Sequence, residues 1–585
     1  MDSRKHFLPI TKKEMERLGW EQADVILVTG DAYVDHPSFG TAIIGRILER
    51  EGLKVAVLPQ PNWQDDLRDF KKFGKPRLFF GVTAGNMDSM VNHYTANKRL
   101  RSNDAYTAGG QAGFRPDYAS VVYSKIIREI FPDVPIVLGG IEASMRRLSH
   151  YDFWSDTLKP SILLESEADL LVYGMGEKPM TDLATAFKTG HWRDNLKTIK
   201  QIAFLTKDIR EYENRPDVVR LNSYESELKD PKKYGEDFVL FEKESNKKSQ
   251  RTLIQQYGNQ YLVIKPPYPL PGEKEMDDWA MYDRMMNAPH PKYLKRGDVP
   301  AFEMIKNSIT MHRGCFGGCS FCTISAHQGK YIASRSEKSI LKEVEDLVQR
   351  PYFKGHITDL GGPSANMYKM KGSDEQKCSS CQRASCLFPE ICKNLNYDHG
   401  ALIRLYGAVR NIKGVKKITI GSGIRYEMLV TRNKELDRKN HLTEYARTVV
   451  HHHVSGRLKV APEHTAVKVT SLMRKPAFSQ FILFLDRFNE LNRECGKNQQ
   501  LIPYFISGHP GTTTEDMASL AVTAKKYRLH TDQVQEFTPT PMTLSTAIFY
   551  LGYNPYTQEK IKVVKNIEER KMQHRYFFPV PKRKQ

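Results

Sequence analysis

Residues 308–322 read Ser308-Ile309-Thr310-Met311-His312-Arg313-Gly314-Cys315-Phe316-Gly317-Gly318-Cys319-Ser320-Phe321-Cys322, a short apolar run that passes into three cysteines spaced C-x3-C-x2-C. Three thiolates can hold a cubic iron–sulfur cluster by three of its irons, whereas a protein-held cluster usually takes four cysteines. The three-cysteine loop therefore leaves one iron open to a ligand that is not protein. Gly314, Gly317 and Gly318 let the backbone fold closely around such a group. Zinc is the competing reading, but it prefers four ligands, and the nearest extra candidates, His312 and His327, are not needed if a cluster is present.

Working outward, Ser308 to His312 is the first of six predicted strands; the others are Ile357 to Leu360, Lys417 to Ile420, Leu458 to Ala461, Ile502 to Ile506 and Gln533 to Phe537. Helical patterns such as Ser339 to Gln349, Phe478 to Arg493 and Thr514 to Tyr527 separate them. Six parallel strand–helix units make a partial, TIM-like (β/α)6 barrel rather than a complete eight-unit one, with its chemistry at the strand C-terminal ends. The cysteine loop follows the first strand at that end. Upstream, short apolar runs at Val25 to Gly30, Lys54 to Leu58, Leu78 to Gly81, Ile136 to Gly140 and Leu170 to Gly174 alternate with helical stretches. This order predicts an α/β, doubly wound parallel (Rossmann-like) sheet, with either a binding crevice or simple strand-ending glycines at its C-terminal edge. The predicted division is a sheet domain over 1–206, a proline-rich strap over 207–300, a barrel over 301–555 with a cysteine-rich insertion at 364–397, and a basic tail over 556–585.

A chain of 585 residues is too long for one ordinary core. Its eight cysteines fall at 315, 319, 322, 378, 381, 386, 392 and 495, a crowding that suits metal binding in a reducing compartment better than a disulfide framework. Lys plus Arg exceed Asp plus Glu by 88 − 68 = 20. That excess favours anionic partners, but it is spread out and no aromatic nucleic-acid signature accompanies it. Met1 to Trp20 is polar, and no segment approaches membrane-spanning length. The expectation is a cytoplasmic protein with no membrane contact.

C-x3-C-x2-C with Phe321 before the last cysteine resembles the signature of the radical SAM superfamily. The longer wording of 308–322, with His327-Gln328-Gly329, Ser334-Arg335-Ser336, Gly362 to Tyr368 and Gly456 to His464, resembles the YgiQ family within it, over nearly the whole chain. The resemblance implies a 4Fe-4S cluster on Cys315, Cys319 and Cys322, and S-adenosylmethionine on its open iron; it implies no particular substrate. Phe321 is placed near the adenine. Gly361 and Gly362 stand where the family usually has a Gly-Gly-Glu that receives the amino group, and here the acid is missing, which leaves backbone carbonyls to accept. Ser422, Arg425 and Glu463 are the polar candidates at later strand ends, and a rim ion pair is the structural alternative for Glu463.

Cys378, Cys381, Cys386 and Cys392 form C-x2-C-x4-C-x5-C, which suits a second iron–sulfur cluster or a structural zinc equally. The N-terminal sheet resembles the cobalamin-binding domain that precedes some radical SAM barrels, but D-x-H-x-x-G is absent, since His36 has Val34 two residues before it and Gly40 arrives one position late. Cobalamin is therefore not expected. His451-His452-His453 point in different directions on a helix and do not make one metal site. The resulting expectation is an enzyme that cleaves S-adenosylmethionine reductively and attacks a small molecule or RNA, fed by an electron donor such as flavodoxin or ferredoxin. The alternatives are a zinc-stapled, non-catalytic RNA-binding protein and a cobalamin-dependent methyl or rearrangement enzyme. No residue is assigned to act on the substrate.

Overall fold

A computed structural model describes residues 6–577, so Lys582-Arg583-Lys584 of the basic tail lies outside the described residues. The chain gathers into two compact units. One runs to Glu244 and adds Ser249–Lys306 and Thr540–Met542; the other holds Ser245–Lys248, Asn307–Pro539 and the chain from Thr543.

In the first unit, strand Val25–Thr29 pairs in parallel with Val55–Pro59 on one side and Phe79–Thr83 on the other. Ile136–Leu138 and Leu170–Val172 continue the parallel run. Alternation along these strands sends successive side chains to opposite faces. Phe79 stacks on Phe187 of helix Glu177–Lys188 at 4.6 Å, while its neighbour Phe80 lies 5.3 Å from Phe131, just beyond helix Ala119–Ile130. Both faces are covered, as a doubly wound sheet requires.

The sheet is not parallel throughout. Ile202–Thr206 runs antiparallel to Leu170–Val172, Gln260–Ile264 antiparallel to that strand, and Thr252–Tyr257 antiparallel in turn, with Val218–Arg220 at the edge. Three of the nine strands thus come from 207–300, the stretch whose prolines suggested a strap. The overlooked signal is the two-residue link Gly258-Asn259 between apolar runs, a hairpin turn in which Gly258 adopts φ +56°.

The five parallel strands stand in the order second, first, third, fourth, fifth, which puts the switch point between Val25–Thr29 and Phe79–Thr83. Arg115 fills that crevice. Its guanidinium donates to the Ala84 carbonyl at 2.6 Å, to Asp31 at 2.8 Å and to Asp104 at 3.2 Å, all buried. Burial raises the Asp31 carboxyl to about 6 despite the opposing Arg115 charge.

The second unit carries all six predicted strands, with every ladder among them parallel. Ser308–Thr310 pairs with Asp359–Gly361, His356–Ile357 with Lys417–Ile418, Arg457–Glu463 with Gln500–Ser507, and the last with Val534–Glu536. Helices Glu337–Val348, Gly400–Arg410, Phe478–Glu494 and Thr514–Lys526 bury Val344, Leu405, Phe481 and Leu520 in one core with Ile309, Leu360, Leu458 and Phe505 from the strands. Among the described residues no helix is long and apolar enough to cross a membrane.

His399 and His453 are buried in this core against Tyr445 and Tyr406, at 4.6 and 4.7 Å. His451 and His452, by contrast, are exposed, so the three consecutive histidines do part company. Burial lowers His399 and His453 from 6.5 to about 4. Their neutral forms therefore add stability that is complete above 6.5 and is lost as pH falls toward 4, by about 1 kcal/mol per histidine per pH unit. Thermal unfolding followed by circular dichroism is expected to show a lower midpoint at pH 5 than at pH 7, with a smaller drop in His399→Gln. An equal drop in that variant would count against this assignment.

Candidate functional site

Past strand Ser308–Thr310 the chain pairs His312–Arg313 with Ala333–Ser334 and enters the cysteine loop. Gly314 turns it with φ +88°, where an added Cβ would meet the Tyr331 carbonyl oxygen at 2.1 Å. Gly318 has φ +60°, and its Cβ would meet the Ala384 carbonyl oxygen at 2.1 Å. Both points demand glycine. The Cys315 N–H donates to the Gly329 carbonyl, and the Cys322 N–H to the Cys319 carbonyl, each at 3.1 Å. Cys315 is buried, and Cys319 and Cys322 are half-buried. Burial pushes the Cys322 thiol up to about 12, and the Cys319 and Cys315 charges add to this. Burial also raises Cys315, against the pull of Arg425. Thiols in this setting lose their protons to an arriving cation.

Arg425 is the cation already present. Its Nη1 lies 3.2 Å from Cys319 Sγ, and its Nε donates to Glu427 at 2.8 Å. Asn366 clamps its backbone on both sides, accepting from the Arg425 N–H at 2.7 Å and donating to its carbonyl at 3.1 Å. Gly317 leaves the guanidinium its place, since a Cβ there would meet Nη1 at 2.5 Å. Burial opposes the Glu427 charge, but Arg425 and Lys475 outweigh it and hold the carboxyl below its usual range.

Glu463 ends strand Arg457–Glu463 after a register shift that begins at Val460. Its φ of +67° is a left-handed conformation that costs a non-glycine residue about 1–3 kcal/mol. The carboxylate is buried 3.6 Å from Lys475. The ion pair foreseen as its structural role is thus present, and burial raises the Glu463 carboxyl while Lys475 and Arg425 pull it back.

Gly361 and Ser422 meet, since a Cβ on Gly361 would stand 2.2 Å from Ser422 Oγ. Asp359 organises that corner, accepting from the Gly421 N–H at 2.8 Å and from the Ser422 N–H and hydroxyl at 3.1 Å. Gly362 lies over His312, whose ring an added Cβ would meet at 2.5 Å. Burial lowers His312 to about 4.

Phe321 presents an edge-to-face contact with His509 at 6.2 Å. His509 Nδ1 faces the Pro510 carbonyl at 2.8 Å and so carries the proton, which leaves Nε2 to accept from Ser545 at 2.7 Å. Ser545 also reaches the hydroxyl of Ser320, inside the cysteine loop, at 2.8 Å. Lys475, Asn366, Asp359 and His509 were not chosen from the sequence. Asn366, Asp359 and His509 lay within strand-end stretches legible in the sequence, but only their contacts with Arg425, Ser422 and Phe321 single them out.

The four insertion cysteines are unlinked, and Cys386 donates its N–H to the Phe316 carbonyl beside Cys315 at 2.9 Å. Among the described residues no three Cys, His, Asp or Glu side chains are grouped to hold a single metal ion. Cluster thiolates each bind a separate iron and stand wider apart than the ligands of one ion.

The family described as Radical SAM N-terminal matches residues 7–308, and a domain of unknown function, DUF3362, matches 532–578. A UPF0313 protein of Bacteroides thetaiotaomicron is 54% identical over 584 residues, spanning 98% of this chain and 94% of its own length. Another, from Porphyromonas gingivalis, is 52% identical over 574 residues, spanning 98% and 90%. The chain belongs to the radical SAM superfamily.

Two solved structures resemble this radical SAM protein more distantly. The radical S-adenosylmethionine methyltransferase TsrM of Kitasatospora setae is 15% identical with a TM-score of 0.47, covering 89% of this chain and 75% of its own. The cobalamin-dependent S-adenosylmethionine radical enzyme OxsB is 13% identical with a TM-score of 0.48, covering 91% and 56%. Likenesses of that size decide nothing about the site.

Replacing Arg425 by Gln removes the cation hydrogen-bonded to buried Glu427 and leaves only Lys475, a loss of about 3 kcal/mol. Chemical denaturation of the metal-free protein is expected to show this loss for Arg425→Gln and a partial recovery in Arg425→Gln/Glu427→Gln. Equal stability of the two variants would show that the pair is not coupled.

Proposed function

We propose that the protein is a radical SAM enzyme whose cluster is held by Cys315, Cys319 and Cys322, working in a reducing cytoplasm on a small molecule or an RNA. The carrying observation is the Arg425 guanidinium 3.2 Å from Cys319 Sγ, on a glycine-folded loop at the end of the first parallel strand. Three thiols beside a buried cation are a donor set that fits a 4Fe-4S cluster with one iron left open. When bound, that cluster would supply one electron to S-adenosylmethionine, whose sulfonium–C5′ bond breaks to give methionine and a 5′-deoxyadenosyl radical.

We read the six parallel strands as a partial (β/α)6 barrel, with the residues at its strand ends doing the holding. Arg425 offsets thiolate charge at Cys319 and, with Lys475, keeps Glu427 ionised. Glu463, turned inward by its left-handed backbone, offers a carboxylate beside Lys475 for the ammonium or ribose hydroxyls of the nucleoside. The Gly362 carbonyl would accept from the amino group, since that of Gly361 already takes the Met311 N–H at 2.7 Å, and Ser422 is oriented by Asp359. Phe321, backed by neutral His509, supplies an apolar wall for the adenine and keeps water from that side. A flavodoxin- or ferredoxin-like donor would deliver the electron.

The expectation against cobalamin is not carried into this reading. It rested only on a missing sequence pattern, and a missing pattern does not exclude the group. A ligand at the switch point of the first unit would have to displace the Arg115–Asp31–Asp104 cluster, so no step is assigned to it.

Anaerobic reconstitution with iron and sulfide, followed by reduction with S-adenosylmethionine present, is expected to yield 5′-deoxyadenosine. The assay is run with and without added cobalamin. Cys319→Ala should lose product entirely, and Glu463→Gln should raise the S-adenosylmethionine concentration needed for half-maximal cleavage at least tenfold. Fully loaded, reduced protein that makes no 5′-deoxyadenosine would overturn the proposal.

A further inference from the structure

Between the second and third strands of the second unit, the insertion brings four cysteines into one small fold of chain. Cys378 lies on helix Glu375–Ser379, whose first turn is capped by Asp374. The Cys381 N–H donates back to the Cys378 carbonyl at 3.4 Å, and the Cys392 N–H to the Cys386 carbonyl at 2.8 Å, so the chain returns on itself at each pair. Asn394 donates to Cys378 Sγ at 3.4 Å and to the Asp374 carbonyl at 2.9 Å. Gly372 leaves room for that sulfur, which an added Cβ would meet at 2.5 Å.

Lys330 is the second observation. It is only 2% exposed, and its ammonium lies 3.6 Å from Cys381 Sγ while hydrogen-bonding the Arg383 carbonyl. A buried ammonium gains little from a neutral thiol, and burying it is costly unless negative charge stands near. Its position suits a site whose sulfurs carry negative charge in common once a metal group is bound. Tyr331, next in the chain, donates its hydroxyl to the Cys378 carbonyl at 2.8 Å, and Cys386 and Cys392 pack against one apolar cluster.

We propose that Cys378, Cys381, Cys386 and Cys392 hold a second iron–sulfur cluster, with Lys330 as its buried counter-charge. Zinc, which takes four thiolates about 2.3 Å from one centre, is the competing occupant, and metal analysis separates the two. The insertion also lies against the loop of Cys315, Cys319 and Cys322, where superfamily membership implies a cluster. The two loops also support each other. Ser385 Oγ donates to the Gly317 carbonyl at 2.7 Å, and Cys386 donates to the Phe316 carbonyl at 2.9 Å. Leu387, Leu395, Met367 and Met370 pack with Cys315 and Phe316 in one apolar cluster.

The test is iron, sulfide and zinc analysis of the full chain, made anaerobically with iron, sulfide and zinc all supplied, with electron paramagnetic resonance after reduction. Wild type is expected to carry about eight irons, and Cys315→Ala/Cys319→Ala/Cys322→Ala about four with a reduced-cluster signal that S-adenosylmethionine does not perturb. Cys378→Ala/Cys381→Ala should keep about four irons and a signal that S-adenosylmethionine does perturb. Lys330→Met should lower the iron retained by the triple variant at least twofold. A soluble triple variant that holds zinc or no metal overturns the proposal. If that variant is insoluble, a wild-type content of only about four irons does so. Failure to cleave S-adenosylmethionine with about eight irons bound would sink the enzyme reading and leave this one standing.

Discussion

The contact between Arg425 and Cys319 Sγ is the constraint around which the second unit is arranged. A guanidinium cannot be deprotonated at ordinary pH and is not left buried without compensation. Glu427 answers its charge, Asn366 fixes its backbone, and Lys475 and Glu463 form a second pair beside the first. Each buried charge thus requires the next, and the set can exist only where several strand ends converge. The strained Glu463 backbone belongs to the same logic, because the register shift before it turns the carboxylate toward the cations.

Close backbone approach is the other side of this arrangement. Gly317 and Gly318 touch the guanidinium and the insertion at distances that leave no space for a side chain, so the cysteine loop is shaped from both sides at once. The insertion is therefore a wall of the site and not an appendage. Its Ser385 and Cys386 complete hydrogen bonds that the loop carbonyls would otherwise lack.

The spans of the six strands and their helices were largely legible because local periodicity records which face is buried. Asp359–Gly361, Arg457–Glu463 and Gln500–Ser507 fall within or around the predicted runs. The nine-stranded sheet was less legible. A hairpin between 252 and 264 has short strands joined by the Gly258-Asn259 turn, and the proline run after it is the stronger local signal. Pairing of Ile202–Thr206 with strands on both sides depends on contacts remote in sequence.

At the site, the three cysteines, Arg425 and Glu463 were identifiable because spacing and motif position are carried along the chain. Sequence by itself thus determined the cysteine spacing and the order of the elements, since both depend on residue type and local period. Only the tertiary structure decided the partners. Lys475 opposite Glu463, Asp359 under Ser422, His509 behind Phe321 and Lys330 beside Cys381 are each remote in sequence from the group they serve. Charge neutralisation and close packing act through space, and no pattern of neighbours along the chain records them.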